Sequence, residues 1–110
     1  MRHLTEMERV YASWALGPPA PLQLVWGDYE DGGPEWDFDA EASMGPDSSS
    51  AWMKERATAD LMIDGHASLN AIGAKGHSVR WNIQKLFGEY ARHNGHADLI
   101  RERIDGATGE

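Results

Sequence analysis

All five prolines and five of the twelve glycines fall between Gly17 and Pro46. Proline removes a helical hydrogen bond and glycine adds backbone entropy, so that stretch cannot carry a regular helix. It reads as one long connection, 17–47, with helices on both sides.

The first segment, Met1 to Leu16, sets His3, Met7, Val10, Tyr11 and Trp14 at the spacing of one helical face, with Glu6 and Arg9 expected on the opposite side. Gly17-Pro18-Pro19 stops it. No capping residue precedes His3. A second helix is expected from Asp47-Ser48-Ser49, which offers acceptors for the free N–H groups of a first turn, to Gly65; Trp52, Met53, Arg56, Ala59, Leu61 and Ile63 have fair periodicity. His66 to His77 reads as a connector with a Gly73-x-x-Gly76 turn, and Ser78 as the cap of the last helix. In that helix Val79, Ile83, Leu86, Tyr90, Ala97, Ile100 and Ile104 keep three- and four-residue steps up to Asp105-Gly106. The missing step is filled by His93, which places a histidine on the inward stripe. Asn82 and Lys85 are expected to face outward.

Charge narrows the partners. Eighteen acidic against ten basic residues give a formal charge of −8, so the basic footprint needed for nucleic acid or anionic lipid is missing. The acids of the connection, interleaved with Trp26, Tyr29, Trp36 and Phe38, read as a solvated loop pinned by aromatics, because they lack the register of a calcium loop. No apolar run reaches the length of a membrane span, and the N-terminus does not resemble a signal peptide. The chain has no cysteine, which suits a cytoplasmic location and leaves metal binding to His, Asp and Glu.

Glu89 and His93 lie one turn apart on one helix face, a spacing that suits a divalent metal, although such a pair taken alone is more often a hydrogen-bonded core histidine beside a half-exposed glutamate. His96 lies to the other side of His93 as an alternative or supporting residue. His3, inward on its own helix, raises the metal reading: two histidines and a carboxylate leave coordination positions open for water and substrate. Spacing alone does not bring His3 to His93. His66 and His77 read as solvated loop residues, and Ser48-Ser49-Ser50 as capping rather than a nucleophile.

The run from Ser78-Val-Arg-Trp through Glu89-Tyr-Ala-Arg-His93-Asn-Gly-His96 to Glu110 resembles the C-terminal helix of the DinB-like (DinB/YfiT) superfamily, in its mycothiol-linked actinobacterial branch that includes mini-circle proteins. Arg2-His3-Leu4 through Val10-Tyr11 is similar to that family's second helix, and Val25-Trp26 through Asp39 to its acidic, tryptophan-containing connection. The resemblance implies an all-α, up-down helical bundle forming one domain over 1–110, with a long acidic crossover and a divalent metal (Zn, Ni or Fe) on positions matching His3, Glu89 and His93. His96 falls where relatives often carry another polar residue. It also implies a thiol co-substrate, mycothiol or a similar small thiol, and transfer to an electrophile. By this resemblance the family's first helix has no counterpart here, which is expected to leave three main helices and an open groove; either a second copy fills it in a homodimer or the sequence is a fragment of a longer chain. The other reading is a non-catalytic dimer or partner-binding module on the same scaffold.

Overall fold

The computed structural model describes residues 2–16, 25, 46–65 and 68–109. They form three helices, α1 (Arg2–Leu16), α2 (Pro46–Asp64) and α3 (Val79–Asp105), with no strand among the described residues. The all-α expectation holds. α2 begins at Pro46, where a proline in the first turn sacrifices no helical bond. The acidic aromatic connection, apart from Val25, lies outside the described residues, as do His66 and the side chain of Trp14.

α1 is the central element, packed against both α2 and α3. Arg9 meets Glu55 and Glu8 meets Tyr90, while Ala12 lies with Ile63 and Asn82 around one small cavity. Read along the chain, these pairings make α1 and α2 run the same way and α3 run against both. The end of α1 and the start of α2 therefore lie at opposite ends of the bundle.

Its central position explains why α1 departs from simple amphipathicity. Glu6 was expected on the outer face, yet it is 2% exposed and its carboxylate accepts the Val25 N–H at 3.2 Å. Thr5, Glu8, Val10 and Ala12 are buried with it. A helix covered on several sides has no polar face to spare, and its charges must find protein partners. Arg9 does so with Glu55, donating from Nε and Nη2 at 2.9 and 2.8 Å in a bidentate pair that ties α1 to α2.

The start of α3 is fixed locally. Ser78 caps it by accepting the Trp81 N–H at 3.1 Å, an interaction worth about 1 kcal/mol. The turn before it closes through Gly76 N–H to the Gly73 carbonyl, with Gly76 at φ 78°. His77 stacks on Trp81 with ring centroids 3.8 Å apart, so it is an exposed packing residue. At the other end Gly106 adopts φ 73° and donates to the Glu102 carbonyl, ending the helix where the sequence predicts.

Two expectations about α3 are overturned. Asn82 is 1% exposed rather than outward: its amide donates to the Ser78 carbonyl at 3.0 Å, and its Oδ1 is buried without a partner. Ala97, Ile100 and Ile104 were expected inward, yet all three are exposed. The reason is length. α1 meets α3 as far as His93, opposite its own first turn, and the remaining turns of α3 project past the end of α1.

Candidate metal centre

Antiparallel packing of α1 on α3 brings the first turn of α1 against the middle of α3. The side chains that meet there are His3, Glu89 and His93, and one ligand atom from each lies within 4.8 Å of the others. His3 Nε2 is 3.9 Å and His93 Nε2 3.8 Å from Glu89 Oε2. Both separations are too long for hydrogen bonds. The imidazole rings tilt at 55° with centroids 4.7 Å apart, so they neither stack flat nor point away from each other.

Around a tetrahedral ion with ligands at about 2.1 Å, ligand atoms stand about 3.4 Å apart. The three side chains are a few tenths of an ångström wider than that along the two carboxylate edges. The third, histidine–histidine edge is at most 4.8 Å, so the trio has the ligand types, and is within a side-chain adjustment of the spacing, that a divalent metal takes. All three are half-buried, with side-chain exposures of 20%, 13% and 24% for His3, Glu89 and His93. Two nitrogens and one carboxylate leave one or more positions toward solvent.

The surroundings favour ligation. Burial pushes the His93 pKa down, and the neighbouring His3 adds to this while Glu89 opposes it. His93 is therefore neutral, with a nitrogen lone pair available, at neutral pH. Arg92, one turn from Glu89, donates to both carboxylate oxygens at 3.2 and 3.1 Å and holds the carboxylate in place. His96 stands edge-on to His93 with centroids 5.6 Å apart, exposed and outside the trio.

A second polar cluster has no counterpart in the sequence reading. Trp52 Nε1 donates to the Tyr90 hydroxyl at 2.6 Å, and that hydroxyl donates to Glu8 Oε1 at 2.5 Å, so one residue from each helix joins a single chain of hydrogen bonds. Tyr90 lay on the expected inward stripe, but nothing in the pattern of α1 marks Glu8. Burial raises the Glu8 pKa above 4.5, the Tyr90 hydrogen bond opposes the shift, and Asp60 adds to it. Tyr90 is likewise held protonated, by burial first and then by its bond to Glu8.

A folded-state pKa above the unfolded value means that the folded form holds the Glu8 proton more tightly. That stabilisation is complete below about pH 4.5 and is lost as pH rises through the folded value. Glu8→Gln keeps an acceptor for Tyr90 without the buried charge. We expect the variant to melt above the wild type at pH 7 and to lose this advantage below pH 4.5, as measured by melting curves across that range.

The fold and the site thus define a helical bundle in which two helices present a His/Glu/His trio. The chain belongs to the mycothiol-S-transferase family, whose model matches residues 1–106, a DinB-like and mycothiol-linked family. Comparison with curated proteins and with solved structures gives no match. Among the described residues no helix is long and apolar enough to cross a membrane.

Proposed function

We propose that this chain is a metal-dependent, mycothiol-type thiol transferase, with His3, Glu89 and His93 as the ligands of one divalent ion. The observation that carries the reading is the convergence of these three side chains from two helices to within 4.8 Å. Membership of a mycothiol-S-transferase family supports the thiol as co-substrate. A bound Zn²⁺, Ni²⁺ or Fe²⁺ would supply Lewis acidity, lowering the pKa of a small thiol so that the thiolate is available at neutral pH.

The residues of the chain have distinct tasks in this scheme. His3 and His93 offer imidazole nitrogens, and Glu89 brings the negative charge that offsets part of the ion's own. Arg92 holds Glu89 in position, and His96 packs edge-on against His93. The thiol gives up its proton to solvent, its sulfur forms a bond to an electrophilic carbon, and the leaving group departs with its electron pair. Half-buried ligands suit this chemistry, since both reactants must reach the site from solvent.

The test is elemental analysis of the purified chain followed by thiol consumption with an alkylating electrophile. About one equivalent of metal, and loss of mycothiol that stops on chelation and returns on reloading, supports the reading. A folded protein that takes up no metal on reconstitution overturns it.

A second reading rests on a different observation. Leu99, Ile100 and Ile104 are 62%, 60% and 79% exposed on the part of α3 that projects past α1. Contiguous apolar surface of this kind is a place where a second copy docks, as in a homodimeric module that needs no turnover. Light scattering distinguishes the two states, and Ile100→Glu with Ile104→Glu is expected to shift a dimer to monomer.

A further inference from the structure

A cleft of about 360 Å³ opens between α2 and α3, away from the roles given to His3, Glu89 and His93. Its walls include Ile63, Ile83, Leu86 and Phe87, and its floor is the Trp52–Tyr90–Glu8 hydrogen-bond chain. The volume lies at the lower end of what small-molecule sites enclose, and apolar walls with a few fixed polar groups are their usual composition.

The floor is electrostatically incomplete. Glu8 is 4% exposed and spends Oε1 on Tyr90, while its Oε2 has no hydrogen-bond partner among the described residues. A carboxylate oxygen that opens onto a largely apolar cleft without a protein donor favours a ligand that brings one, above all a positively charged one. The other charges lining the cleft are Asp60 and Arg56. Arg56 already lies over the Trp52 ring, 5.5 Å from its centroid, and one guanidinium cannot neutralise two carboxylates. The aromatic faces of Trp52, Tyr90 and Phe87 add a negative electrostatic surface that attracts cations. Charge, donor demand and apolar walls all select the same kind of molecule.

We propose that this cleft is a binding site for a small amphipathic organic cation, an ammonium group on an apolar or aromatic body, with the ammonium on Glu8 Oε2 and the body against Ile83, Leu86 and Phe87. The site does not depend on the metal reading. Burial of the Glu8 carboxylate, which disfavours its lone negative charge, is offset when the ammonium arrives.

The experiment follows the Trp52 indole N–H by ¹⁵N NMR in the full chain with chelator present, the signal being identified by its loss in Trp52→Phe. Three probes of one shape are titrated: benzylammonium, benzyl alcohol and phenylacetate. We expect a saturable shift with benzylammonium, binding weaker by about tenfold or more with benzyl alcohol, and none with phenylacetate, on the scale of one charge-assisted hydrogen bond. Glu8→Gln, which retains the Tyr90 acceptor, should weaken benzylammonium by a similar factor, and Asp60→Asn, on the exposed rim, by only a few-fold. Equal binding of benzyl alcohol, preference for phenylacetate, or the absence of any saturable shift overturns the proposal. The probe series on the unaltered chain decides the matter independently of Glu8→Gln. Because chelator is present throughout, a negative result here is separate from a failure of the metal centre.

Discussion

The His93→Ala chain is expected to retain its fold and lose its metal. His93 supplies one of the three ligand atoms that converge within 4.8 Å among the described residues, and the remaining pair, His3 and Glu89, sits on two different helices. Losing an outer hydrogen-bonding partner of a metal ligand costs 10- to 100-fold in affinity, and losing the ligand itself should exceed about 100-fold. The side chain is half-buried and makes no hydrogen bond among the described residues, so metal-free stability should change by no more than about 1 kcal/mol. Calorimetric titration with Zn²⁺ and a melt of the metal-free protein separate the two quantities. Unchanged affinity would remove His93 from the ligand set. A large loss of stability with intact affinity would make it a packing residue.

Tyr90→Phe is expected to give the largest stability change at a single atom. Its hydroxyl is the middle of the chain from Trp52 to Glu8, and it joins α2 and α3 to the central helix α1. Removing the oxygen leaves a buried carboxylate without its donor and an indole N–H without its acceptor. Each unsatisfied group costs on the order of 1 to 3 kcal/mol, so a loss of about 2 to 4 kcal/mol follows. In a chain of 110 residues this lowers the melting temperature by on the order of 10 °C. The Glu8 pKa should rise further, since the Tyr90 bond is the interaction that holds it down. A denaturant melt showing less than about 1 kcal/mol would mean that water substitutes for the hydroxyl and that the chain of hydrogen bonds is not what binds the helices.

These two residues are neighbours on one expected stripe, yet only one of them was identified as a candidate. The i, i+4 relation of Glu89 and His93 is contained within one helix and can be read directly. Tyr90 was placed inward for its aromatic ring, while the partner that gives its hydroxyl a role, Glu8, belongs to another helix and carries a charge. Glu6 and Asn82 show the same limit from the other side. Helical periodicity assigns polar residues to solvent, but α1 is enclosed on several sides and the start of α3 is pressed against it. Ile100 and Ile104 are the converse, apolar residues left exposed among the described residues.

Local chain chemistry by itself determined where the helices lie. Ser78 starts α3 and Gly106 ends it, because each acts on the backbone within one turn of itself. It also determined that Glu89 and His93 share a face, since helix geometry is the same in any surroundings. Only the tertiary structure decided that His3 joins them, that Glu8 and Asn82 are buried, and that a cleft remains between α2 and α3. Those outcomes depend on the relative direction and overlap of the helices, and no local pattern specifies how far one helix reaches along another.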